Sequence, residues 1–182
     1  MCGSFCTHAA VLRALERLAA EYETVIPIVS EITAASDTRF GKAEDLLRKL
    51  KELTGRDALQ GIPAVEPIGP KGLLDILVIA PATGNTIAKL ANGVTDTAVT
   101  MAAKAHLRNG RPVVLAVSSN DALSAGAKNI GELLVRRDYF FVPFGQDQPI
   151  QKPASLVADF SRLTETVDAA LRGEQIQPIL VA

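Results

Sequence analysis

The run Ile76-Leu77-Val78-Ile79-Ala80 constrains this chain more than any other stretch. Apolar residues without polar alternation fit a strand buried on both faces, and such strands belong to parallel sheets covered by helices. Pro81 is expected to end the strand, because proline cannot donate to the ladder. Ala82 to Thr86, ATGNT, then makes a tight turn of small, hydrogen-bonding residues. Ile87, Leu90 and Ala91 follow at helical spacing, with Thr83 as the expected N-cap. A buried strand, a polar turn and a helix N-terminus form the usual ligand platform of an open α/β sheet. Unpaired N–H groups and the helix dipole favour an anion there, typically a phosphate. The competing reading is an ordinary strand-to-helix turn that binds nothing.

The rest of the chain supports the same class. Thr24 to Ser30, TVIPIVS, is β-branched and apolar, hence a strand, although Pro27 argues against a central position. A polar loop, Ser36 to Gly41, carries Arg39 and Phe40. Lys42 to Leu53 is expected to be helical, and Gly61 to Gly72 an irregular crossover. Asp96 is the expected cap of a helix over Thr97 to Leu107. Pro112 to Val117 is a further buried strand, followed by the turn Ser118-Ser119-Asn120-Asp121. A short helix, a strand over Tyr139 to Pro143, a polar loop to Pro153, a helix over Ser155 to Leu171 and an extended tail complete the chain.

This alternation predicts a single three-layer, doubly wound, mostly parallel α/β domain over residues 1–182, Rossmann-like or flavodoxin-like. Right-handed crossovers place the turns at Gly3-Ser4, Ser30, Thr83 to Thr86 and Ser118 to Asp121 on one rim, which suits a nucleotide-like ligand. The opening is irregular. Gly3-Ser4 feeds a helix with Phe5, Ala9, Leu12, Leu15 and Ala19 on one face, yet no strand precedes that turn. The first strand therefore looks missing, with Met1 as one of its interior residues.

Composition removes several function classes. Hydrophobic residues make up 48% and aromatic residues 4%, so there is material for a core and little surface for stacking bases. A net charge of -1 leaves no basic footprint for nucleic acid. No apolar run approaches the ~20 residues of a membrane helix, and no signal peptide is visible, which points to the cytoplasm. Cys2 and Cys6 have no Cys/His cluster beside them, so no metal site is expected. No nucleophile elbow or Walker loop occurs, and His8 and His106 read as structural, the latter as a cation complementing a helix C-terminus. The chain thus looks like a cofactor holder rather than a side-chain catalyst. Among Arg39, Lys71, Arg108, Arg111 and Lys152, which lie in or beside loops, Arg39 is the best candidate to grip a small dianion.

PATGNTIAKLANGVTD, Pro81 to Asp96, resembles the P-A-S-A-N-T-x-x-K-x-A-x-G-x-x-D signature of the flavoproteins that include phosphopantothenoylcysteine decarboxylase, the lantibiotic cysteine decarboxylases and the flavin prenyltransferases. GSFCT, DTRFG, TGNTIAKLAN, MAAKAHLRN, RPVVLAVSSNDAL, FVPFGQDQPIQKP and QIQP resemble one branch, the dipicolinate synthase B subunits, in order and at similar spacing. The resemblance implies FMN at the subunit interfaces of a trimer-based homo-oligomer. It places Gly3, Ser4 and Ser30 against the flavin or its phosphate. It gives Thr83, Gly84, Asn85 and Thr86 to flavin and substrate, with Asn85 facing the reacting group, and turns Ser118 and Ser119 toward the flavin.

The same resemblance implies an oxidoreductase that works with a Rossmann-type partner, the dipicolinate synthase A subunit, which could bring NAD or NADP. The product would be the dicarboxylate dipicolinate, made in the mother cell of a sporulating bacterium, with Arg39 and Asn85 holding carboxylates. Two departures stand out. The family's strand before GSFCT is absent. The cysteine decarboxylases also use a histidine ahead of the central strand, and none lies between Phe40 and Ala80. An FMN-dependent decarboxylase or prenyltransferase, and a non-catalytic structural subunit, remain the alternatives.

Overall fold

The computed structural model describes residues 1–181. Its helices are α1 (His8–Glu21), α2 (Glu31–Ala35), α3 (Ala43–Thr54), α4 (Ile62–Val65), α5 (Ile68–Lys71), α6 (Gly84–Ala91), α7 (Ala98–Leu107), α8 (Ala127–Leu134) and α9 (Leu163–Leu171). Its strands are β1 (Leu77–Ala82), β2 (Val113–Ser119), β3 (Tyr139–Phe141), β4 (Phe144–Gly145) and β5 (Leu156–Ala158). β2 pairs in parallel with β1 on one side and β3 on the other. Farther along, Ser118 and Ser119 pair antiparallel with Val157 and Leu156 of β5, and β5 pairs antiparallel with β4. The sheet is an α/β sheet, parallel at its centre and antiparallel at one corner.

Val113 to Ser118 are all buried, as an apolar run must be when helices cover both faces of its sheet. Phe141 of β3 is fully buried beside it, with Leu115 as its register partner. α7 lies close to α4 and α5 because small residues face them. Gly69 makes that approach possible: a Cβ there would stand 2.8 Å from the Ala105 carbonyl oxygen.

Several local expectations change. Segment 24–30 is not a strand; Ile28 forms only an isolated parallel bridge to Leu59, and the opposite side of the segment borders a cavity. β1 continues through Pro81 to Ala82, because a register shift between Ile79 and Ala82 passes the missing proline donor. Thr97, not Asp96, caps α7: Thr97 Oγ1 accepts the Thr100 N–H at 3.2 Å and Thr100 Oγ1 accepts the Thr97 N–H at 3.1 Å. Asp96 is held instead by Lys89 at 2.8 Å. Residues 155–171 are not one helix; β5 and a 3-10 turn, Phe160–Arg162, precede α9. α4 and α5 give helical turns to the crossover read as irregular. α1 buries Val11, Ala14 and Leu18 and leaves Ala9 exposed, so its inward face is rotated from the expected stripe.

His106 is also not a cation. It is fully buried, its Nε2 lies 3.0 Å from the Pro112 carbonyl oxygen, and burial holds its pKa below the usual imidazole value. Its place is structural.

The C-terminal tail packs as an arm. Phe144 N–H donates to Ile179 O at 3.0 Å, and Val181 N–H donates to Phe144 O at 3.1 Å. The Gln175 amide bonds both the N–H and the C=O of Phe141, at 2.7 and 2.8 Å. A Cβ at Gly145 would run into the Val181 carbonyl. Gly145→Ala is therefore expected to lift the arm, costing ~1 kcal/mol and lowering Tm by about 2–4 °C. Limited proteolysis after residue 172 should then cut the variant faster than the parent.

Candidate functional site

α6 begins where β1 ends. Thr83 is extended, with φ -76° and ψ 159°, and its Oγ1 accepts the Thr86 N–H at 3.2 Å. This cap uses one first-turn donor and leaves the Gly84 and Asn85 N–H groups at the open helix end. The Asn85 side chain is exposed. Gly84 is required by the turn after β2: a Cβ would stand 2.6 Å from Ser119 Oγ and 2.8 Å from Asp121 Oδ1. Ser119 Oγ donates to Asp121 Oδ1 at 2.5 Å. The Asp121 carboxylate thus already complements the positive end of the α6 dipole. A phosphate beside it would meet like charge, which weakens the case for the anion expected from the sequence at this helix end.

A hydroxyl cluster lies at the neighbouring turns. Ser4 Oγ is 2.7 Å from Ser118 Oγ, and Thr7 Oγ1 is 3.5 Å from the same Ser118 Oγ. Thr7 Oγ1 donates to the Ser4 carbonyl at 2.8 Å, which fixes the turn that opens α1. Next to it, Ser30 Oγ lies 2.9 Å from Thr33 Oγ1, and Ser30 N–H donates to Met1 O at 3.0 Å. A Cβ on Gly3 would sit 3.4 Å from Ile32 Cγ2, so the first two turns abut. None of these hydroxyls is hydrogen-bonded to a carboxylate among the described residues. Glu31, the nearest acid in sequence, is committed to the Ala98 N–H of α7 at 2.8 Å.

The rim therefore links Gly3, Ser4, Ser30, Thr83, Gly84, Thr86, Ser118 and Ser119 through contacts between neighbouring turns, with Asn85 at its exposed edge. Arg39 stands apart: its guanidinium lies over the Phe40 ring, 4.8 Å from the centroid, and it makes no hydrogen bond or ion pair with the rim among the described residues. Lys152 pairs with Asp147 at 3.2 Å, and Arg111 reaches Asp75 at 3.5 Å, so both are occupied elsewhere. His8 places Nε2 2.8 Å from Cys2 O, and burial lowers its pKa. No group of three or more potential metal ligands occurs among the described residues.

Sequence reasoning missed Thr7, Thr33 and the role of Asp121. A signal for the first two was present. Ser4/Thr7, Ser30/Thr33, Thr83/Thr86 and Thr97/Thr100 are hydroxyl residues three apart, each at a helix start.

These groups fit FMN in two parts. The carboxylate-free hydroxyls of Ser4, Thr7, Ser118 and Ser30 suit a phosphate at the start of α1. Thr83 to Thr86 and Ser119 present hydroxyl and amide groups on the same rim.

Residues 33–159 match the family described as Flavoprotein. The chain is 48% identical over 179 residues to the dipicolinate synthase B subunit of Bacillus subtilis (strain 168), covering 98% of this chain and 90% of that protein. The crystal structure of the dipicolinate synthase B subunit from Bacillus halodurans has a TM-score of 0.90 at 46% identity, covering 99% of this chain and 92% of the other. The FMN-dependent cysteine decarboxylase SpaF has a TM-score of 0.69 at 23% identity, over 93% of each chain, a likeness of fold. The chain therefore belongs to the flavoprotein family, in the branch of the dipicolinate synthase B subunits.

Proposed function

We propose that this chain is the flavin-binding subunit of dipicolinate synthase. It acts in the cytoplasm of a sporulating mother cell with a Rossmann-type A subunit, and together they oxidise a dihydrodipicolinate-level precursor to pyridine-2,6-dicarboxylate. Aromatisation removes two electrons and two protons, a hydride equivalent plus a proton. Bound FMN would supply an acceptor for that hydride equivalent; a nicotinamide on the partner would supply another. In this reading Ser4, Thr7, Ser118 and Ser30 bind the phosphate, Thr83 to Thr86 and Ser119 orient ring and substrate, and Asn85 donates to a substrate carboxylate. Arg39 pairs with the second carboxylate from its loop. A trimer-based assembly would bring that loop, with exposed Phe40, against another copy.

One observation carries this reading: the hydroxyl cluster of Ser4, Thr7 and Ser118 at the start of α1, with no acid bonded to it among the described residues. FMN titration followed by visible absorbance tests binding, and product formation with both subunits tests the reaction. Asn85→Ala is expected to lower product formation about tenfold, the loss of one hydrogen bond to a charged group, with assembly unchanged. Unchanged product formation would favour a purely structural role.

A further inference from the structure

Gly84 opens α6, yet its backbone does not call for a glycine, since its φ is not in the left-handed region. Glycine weakens a helix, so another demand holds it there. That demand is space. A Cβ would overlap Ser119 Oγ and Asp121 Oδ1, and without one the turn after β2 closes onto the start of α6. The missing methyl group thus admits a carboxylate beside Gly84, one residue before Asn85.

The turn fixes that carboxylate. The Asp121 carbonyl accepts from the Ser124 and Gly126 N–H groups, each at 3.0 Å, and from Ser124 Oγ at 3.1 Å. Leu123 N–H donates to Ala154 O at 2.9 Å, which ties the turn to the segment before β5. Ser119 Oγ holds Oδ1, while Oδ2 has no hydrogen bond or ion pair among the described residues. The other side-chain polar groups of Thr83 to Thr86 and Ser118-Ser119 are hydroxyls and an amide, which do not take up a proton near neutral pH. Glu31 is committed to the Ala98 N–H. Cys6 and His8 lie on the α1 side, with Cys6 Sγ 3.9 Å from Ser4 Oγ and His8 Nε2 at Cys2 O. Asp121 is therefore the base on the Asn85 side of the rim among the described residues.

We propose that Asp121 is the proton acceptor of the oxidation. The inference rests on the reading of this rim as the place where a dihydropyridine dicarboxylate becomes aromatic. A C–H bond of the ring breaks, and its proton passes to Asp121 Oδ2. The electron pair left behind forms the new ring double bond to the neighbouring carbon. From that carbon the hydride equivalent leaves for an oxidised flavin or nicotinamide, which is thereby reduced. Electrostatics favour the proton transfer. A dianion held by Asn85 beside Asp121 meets like charge, and a proton on the carboxylate removes that repulsion. The carboxylate thus weakens binding of the ground state and is relieved as the reaction proceeds.

Asp121→Asn keeps the side chain's shape and removes the base and its charge. Two quantities are read on the two-subunit complex near neutral pH: product formation, and the affinity for dipicolinate by calorimetric titration. Product formation is expected to fall about 100-fold or more, the usual loss of a general base. Dipicolinate is expected to bind about threefold tighter or more, because a like charge is gone. A residue that only shapes the site would not move the two in opposite directions. Gly84→Ala, which forces the carboxylate off the rim, should lower product formation about tenfold in the parent and far less on top of Asp121→Asn, since both changes act through one group. Product formation by Asp121→Asn within about threefold of the parent would overturn the proposal. So would a loss of product accompanied by weaker dipicolinate binding, the mark of a binding residue. A parent complex that makes no product would overturn the reading of the rim itself, whereas the other outcomes leave that reading standing.

Discussion

Phe141→Ala is expected to lower the unfolding free energy by about 3–5 kcal/mol, the usual cost of truncating a fully buried phenylalanine. Phe141 has no exposed surface and its ring centroid lies 6.0 Å from that of Phe144 at an interplanar angle of 54°, a tilted aromatic pair. Its backbone is fixed on both sides, by β2 and by the Gln175 side chain, so the strand cannot collapse into the space left behind. Against a typical total of ~5–15 kcal/mol, the loss is a large share of stability. Urea denaturation followed by circular dichroism measures it. Val135→Ala, at a residue 82% exposed, is the control and should change stability by no more than ~0.5 kcal/mol. A loss at Phe141 no larger than the control would mean that β3 is not built into the core.

The contrast between Phe141 and segment 24–30 shows what the sequence carried. Ile76 to Ala80 and Val113 to Val117 are apolar without interruption, and a strand covered on both faces has no other signature, so the sheet centre was legible. Segment 24–30 has equal β propensity and still is not a strand. A strand is a pairing, and the edge that would pair with Ile26 and Ile28 faces a cavity. β5 failed in the opposite direction. Leu156, Val157 and Ala158 fall in the segment expected to be helical, yet the tertiary demand of the end of β2 and of β4 makes them a strand.

At the site, turn positions were legible and turn chemistry only partly so. The topology places Gly3-Ser4, Ser30, Thr83 to Thr86 and Ser118-Ser119 together. Which of those turns suits an anion depends on where Asp121 points, and no local pattern fixes that. Its carboxylate beside Gly84 moves the phosphate argument from α6 to α1. Arg39 looked like a site residue from its loop alone, and its stacking on Phe40 leaves it off the rim of its own chain.

Replacing Ser4 and Ser118 together by alanine is expected to weaken FMN binding about 100-fold or more while leaving the fold intact. The two hydroxyls bond each other at 2.7 Å, so removing one takes away the other's shortest hydrogen bond, whereas removing both leaves neither hydroxyl. The double variant should therefore unfold within ~1 kcal/mol of the parent. A phosphate is affected differently. It loses two donors to a charged group, each worth ~1.5–3 kcal/mol, and 1.4 kcal/mol is a factor of ten. Thr7 and Ser30 remain and should keep residual binding measurable by fluorescence titration. Thr83→Ala gives the comparison: it removes the α6 cap, costing about 1 kcal/mol of stability, and leaves the Ser4/Ser118 pair in place. If FMN affinity falls with Thr83→Ala and not with the Ser4/Ser118 double change, the phosphate lies at α6 after all, and Asp121 must move aside to admit it.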